Sequence, residues 1–133
     1  MARLAAAYLV AAVVMAALDF TWLSYFSKAF FEPAVGVLLA AKTNYAAAIL
    51  FYVLYIVGVL LFAVRPALAG DGWTTSLLMG AAFGFFAYVT YDLTNMATLK
   101  AWPAWLAAMD VAWGTLVTAL AATAGYFAAS RIA

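Results

Sequence analysis

Four apolar stretches, each long enough to cross a bilayer as a helix and separated by short polar breaks, account for nearly all of this 133-residue sequence. An α-helix rises about 1.5 Å per residue, so about 20 mostly apolar residues span the hydrocarbon core. Inside hydrocarbon every backbone N–H and C=O must bond within the protein, and a helix does this segment by segment. With 71% of residues hydrophobic and 8% charged, little polar surface is left for a soluble domain. The expected fold class is all-α: an integral membrane four-helix transmembrane bundle forming one domain over residues 1–133.

The spans are placed at about 4–26, 45–64, 75–99 and 104–128. Met1-Ala2-Arg3 and the apolar run after it resemble a signal peptide, but Asp19 and Trp22 fall where cleavage would occur, so the run reads as a retained first helix. Ser27, Lys28, Glu32 and Pro33 mark a break, followed by a short interfacial segment at about 29–41. Thr43 is suited to cap the second span, and Arg65-Pro66 ends it. Gly70-Asp71-Gly72 supplies a turn, and Lys100-Ala101-Trp102-Pro103 reverses the chain into the fourth span.

Several chemistries are excluded at once. Cysteine and histidine are absent, so no disulfide, thiolate, histidine-ligated haem or ordinary zinc site is expected, and no metal ligands are assigned. A net charge of +1 with no polybasic run argues against nucleic acid as a partner. Arg3, Arg65 and Arg131 on the terminal side balance Lys28, Lys42 and Lys100 opposite, so positive charge alone leaves the orientation tied. The α-amino charge and the offset by Glu32 tip the expectation toward cytoplasmic termini, while a tie also permits dual insertion.

What remains for chemistry is a set of carboxylates inside the spans. A charged side chain at the centre of a membrane helix costs at least about 2.5 kcal/mol on insertion scales, so such acids face protein or a water-filled cavity. Asp19, Asp92 and Asp110 are all displaced toward the lysine-bearing side. Helical spacing gives each a companion: Tyr8, Met15 and Trp22 for Asp19, Tyr88 and Asn95 for Asp92, Trp113 and Gly114 for Asp110. Tyr91 precedes Asp92 directly, and Asn44 enters the second span from the same side, so all four helices can bring a polar group to one level. The plain alternative is that these acids are hydrogen-bonded packing elements contributing about 0.6 to 2 kcal/mol per contact.

Other features read as structural. Ser76, Gly80 and Gly84 recur every fourth residue on the third span, a small-residue stripe for close helix packing, and Gly114 faces the same role. Trp22, Trp102, Trp105 and Trp113 gather on the lysine side, as an interfacial belt would, although Trp22 and Trp113 could instead wall a pocket. Lys100 reads as a snorkelling lysine. Leu18-Asp19-Phe20-Thr21-Trp22 and Tyr91-Asp92-Leu93-Thr94-Asn95 share an Asp-apolar-Thr pattern, a weak match of the kind two parallel-repeat helical hairpins would leave.

These motifs, together with Gly36-Val37-Leu38-Leu39-Ala40, Phe51-Tyr52-Val53-Leu54-Tyr55, Tyr88-Val89-Thr90 before the Tyr91 motif, and Asp110-Val111-Ala112-Trp113-Gly114-Thr115, resemble the bacterial membrane-protein family catalogued as domain of unknown function 2177. The resemblance implies a small multi-pass protein of the inner (cytoplasmic) membrane and supplies no substrate. Three functions are expected to compete. The first is binding or processing a lipid-like or amphipathic small molecule in a carboxylate-lined pocket formed by Asp19, Trp22, Asn44, Tyr88, Tyr91, Asp92, Asn95, Asp110 and Trp113. The second is proton-coupled export, and the third is an accessory role in a larger membrane complex. Membrane lipids are expected partners, and a bundle this small is expected to form a homo-oligomer or join a complex.

Overall fold

The computed structural model describes residues 1–70 and 72–132. Four helices, each long and apolar enough to cross a membrane, follow one another: α1 (Ala2–Leu38), α2 (Tyr45–Ala69), α3 (Trp73–Thr98) and α4 (Ala104–Ser130). Among the described residues there is no strand. The outward faces carry Leu9, Val13, Phe20, Leu54, Leu78 and Phe86, all exposed in the isolated chain and suited to lipid.

Two expected breaks are absent. Ser27 to Pro33 does not interrupt the first helix, and Arg65-Pro66 does not end the second, because a widened helical stretch precedes each proline: Trp22–Phe31 in α1 and Leu60–Val64 in α2. In both, the residue just before proline bonds five positions back, Glu32 N–H to the Ser27 carbonyl and Arg65 N–H to the Leu60 carbonyl. A proline offers no N–H and crowds the carbonyl four residues earlier; the wider turn moves that carbonyl aside, so the helix continues. The segment expected to lie at an interface from about residue 29 is thus helical, continuous with α1, as far as Leu38.

The connections are short. Asn44, one residue later than the expected Thr43, caps α2 by accepting the Ala47 N–H at 3.1 Å. Substituting Asn44→Ala removes that bond and is expected to cost about 1 kcal/mol, read as a lowered unfolding midpoint in detergent; an unchanged midpoint would show that the cap is dispensable. Of the turn expected at Gly70-Asp71-Gly72, Asp71 lies outside the described residues, and Gly72 caps α3 with φ of 82°, a left-handed conformation that glycine tolerates best. Pro103 precedes the first turn of α4 as its N-cap.

The helix α4 is the centre of the packing. On one side the Ser76, Gly80 and Gly84 stripe of α3 is buried against it: a Cβ placed on Gly80 would fall 2.8 Å from Ala122 Cβ, and one on Gly84 would fall 2.7 Å from Thr118. On another side Ala7, Ala11 and Met15 of α1 are buried, with Gly125 of α4 opposite Ala7 and Ala11. Small residues let the backbones approach, and the contact is dispersion over a long seam. The helix α2 joins through larger groups: Phe83 of α3 lies over Gly58, and the Tyr8 hydroxyl donates to the Val53 carbonyl at 3.0 Å. Arg3 Nε donates to the Ala129 carbonyl at 3.2 Å, so both ends of the chain meet at one end of the bundle.

Candidate functional site

Toward the other end of the bundle the side chains become aromatic and polar. Asp19, buried on α1, accepts two hydrogen bonds from two different helices: the Tyr52 hydroxyl of α2 donates to Oδ2 at 2.5 Å, and the Trp113 indole of α4 donates to Oδ1 at 2.9 Å. One turn along α1, Trp22 lies flat on Trp113, with ring centroids 4.7 Å apart and planes within 10°. A carboxyl held by two neutral donors has both oxygens satisfied while the site gains no positive charge.

The second acidic locus joins α3 and α4. Asp92 is completely buried; the Trp102 indole donates to its Oδ1 at 3.2 Å, and among the described residues none donates an N–H to its Oδ2. The carboxyl of Asp110 lies within hydrogen-bonding reach of Asp92. Two carboxyls this close can hydrogen-bond to one another only when one of them carries a proton. Its position follows from the hairpin, since Asp92 and Asp110 each lie six residues from the turn-side end of their helices.

Between these loci is a cavity of about 500 Å³, lined by Asp19, Trp22, Leu23, Ser27, Phe31, Leu39, Phe51, Tyr52, Tyr55, Ala87, Tyr88, Tyr91, Asp110 and Trp113. Among its lining residues Leu23, Tyr91, Leu39 and Phe51 are about half exposed, at 55%, 52%, 49% and 46%. The Tyr88 ring rests on Gly114, where any Cβ would collide with it. The Tyr55 and Thr118 hydroxyls share a buried hydrogen bond of 2.8 Å that braces α2 against α4.

Of the residues expected from sequence to form a site, Asp19, Trp22, Tyr88, Tyr91, Asp110 and Trp113 are brought to one cavity. Asp92 stands behind its wall, reaching it through Asp110. Asn95, one turn beyond Tyr91, interacts with the Tyr91 hydroxyl and does not line the cavity. Asn44 does not join the acids: it is exposed, and its side-chain oxygen is engaged in capping α2. Tyr8 turns its hydroxyl to Val53 and away from Asp19. Among the described residues no three acidic side chains converge closely enough to hold a metal ion.

Sequence reasoning left out Tyr52, Tyr55 and Thr118, and read Trp102 as part of a belt. A usable signal was present for the tyrosines: they lie three apart, on one face of an otherwise apolar span, and a buried tyrosine hydroxyl needs a partner.

The family model for predicted membrane proteins (DUF2177) matches residues 4–127. No curated protein and no solved structure matches the chain. The match takes in all four helices and every residue of the cavity, and the chain belongs to the membrane-protein family of domain of unknown function 2177.

Proposed function

We propose that this protein binds an amphipathic small molecule inside the membrane, with its polar end at Asp19 and Asp110 and its apolar body among the surrounding rings. The observation that carries this reading is the cavity itself: about 500 Å³, walled by aromatic side chains from all four helices, with two carboxyls on its surface. Pockets for small ligands hold about 300–1,000 Å³ and combine apolar walls with a few placed polar groups. A structural role alone would favour filling such a space, since packing gaps forfeit dispersion contacts.

The test is native mass spectrometry with organic extraction of gently purified protein, comparing wild type with Ala87→Phe, which puts a ring into the cavity from α3. A specific adduct carried by wild type and lost from a folded Ala87→Phe protein is the expected result. An adduct carried equally by both, or by neither, would remove the reading. A second reading, proton-coupled export, is supported by the buried Asp92 and by Asp110 on the cavity wall, because a carboxyl beside a cavity inside the membrane is the group such a cycle needs.

A further inference from the structure

Resting on that reading of the cavity, we infer that its ligand is a lipophilic organic cation, its charge held between Asp19 and Asp110 within the aromatic wall. The inventory of the walls is one-sided. Two carboxyls line the space, and among the described residues no lysine or arginine does. Lys28, Lys42 and Lys100, which share this end of the chain's spans, are all exposed.

The remaining polar groups repeat the pattern. The two donors closest to Asp19, the Tyr52 hydroxyl and the Trp113 indole, are already committed to it. The Tyr55 hydroxyl shares its hydrogen bond with Thr118. Ser27, Tyr88 and Tyr91 add hydroxyls, so the cavity offers carboxyl oxygens, neutral polar groups and aromatic surface, with carboxyls as its ionisable acids. Ring faces carry the negative end of an aromatic quadrupole and attract cations within about 6 Å of the centroid, most strongly where water is excluded. An anion would meet two carboxyls with no lysine or arginine among the lining residues.

The apolar share of the lining fits the other half of the proposed ligand. Leu23, Phe31 and Leu39 suit a hydrophobic body and give a small hydrated ion nothing to replace its water.

The experiment uses the full chain in vesicles of zwitterionic lipid and two probes of matched shape and opposite charge, tetraphenylphosphonium and tetraphenylborate, with Nile red as a neutral probe. Specific binding is the part abolished by Ala87→Phe, which cancels partition into lipid. Specific binding of tetraphenylphosphonium is expected, with affinity falling roughly tenfold or more in Asp19→Asn or in Asp110→Asn; each variant's fold is checked by thermal unfolding. Specific binding of tetraphenylborate at equal strength, or tetraphenylphosphonium affinity unchanged in both variants, would overturn the inference. If Nile red is bound specifically and tetraphenylphosphonium is not, the cavity is a ligand site and the cation assignment fails. If no probe is bound specifically, both fail together.

Discussion

Gly84→Leu is expected to push α3 away from α4 and to destabilise the bundle by about 1–3 kcal/mol. A Cβ at this position would already lie 2.7 Å from the Thr118 side chain and closer still to the Gly114 carbonyl. The obstruction is mostly backbone and a buried threonine, neither of which can rotate out of the way. The consequence reaches the site, because Thr118 is the partner of Tyr55 and Gly114 is the seat of Tyr88. Reversible unfolding in mixed micelles, followed by circular dichroism, reads the loss. Gly36→Ala is the matched control: a Cβ there meets nothing within 4 Å and the backbone is right-handed helical, so stability should hold or rise slightly. Equal stabilities for Gly84→Leu and wild type would mean that the two helices do not approach as closely as described.

The second large effect concerns Asp19. Truncating it to alanine leaves the Tyr52 hydroxyl and the Trp113 indole without their acceptor in a partly buried setting, at up to about 1–3 kcal/mol for each stranded group. Tyr52→Phe alone removes one donor and keeps the Trp113 bond. The double-mutant cycle of Asp19→Ala with Tyr52→Phe should therefore give a coupling of about 0.5–3 kcal/mol, the range for residues in direct contact. A coupling near zero in folded variants would show that α1 and α2 are not joined here. Because the same two donors orient the carboxyl at the cavity wall, Tyr52→Phe is also expected to weaken probe binding without emptying the cavity.

How much of this could be read from the sequence differs between the helices and the site. The number of helices follows from the length of the apolar runs, which depends only on counting residues against the thickness of hydrocarbon. Their ends were harder to read. Pro33 and Pro66 carry strong break signals, and what defeats those signals is a change of hydrogen-bond spacing upstream, at Trp22–Phe31 and Leu60–Val64, that local propensity does not show. The acids were visible as anomalies in an apolar span, and the level on which Asp92 and Asp110 meet was implicit in their equal distance from a tight turn. Their partners were not visible. The donor to Asp19 from α4 comes from 94 residues away and depends on how two helices are rotated about their axes, which periodicity constrains only to a broad face. Asn44 shows the opposite error, since a residue at the right level was spent on the backbone of its own helix.

The central place of α4 has a consequence for the order in which the protein can mature. It is synthesised after the other three helices, yet it provides the indole for Asp19, the carboxyl for Asp92, the hydroxyl for Tyr55 and the surface on which the glycine stripe of α3 rests. While α1 to α3 sit in the bilayer awaiting it, two acids and a row of small residues face lipid or one another. The cavity is therefore incomplete until the fourth helix takes its place among them and brings Asp110 and Trp113 to its wall.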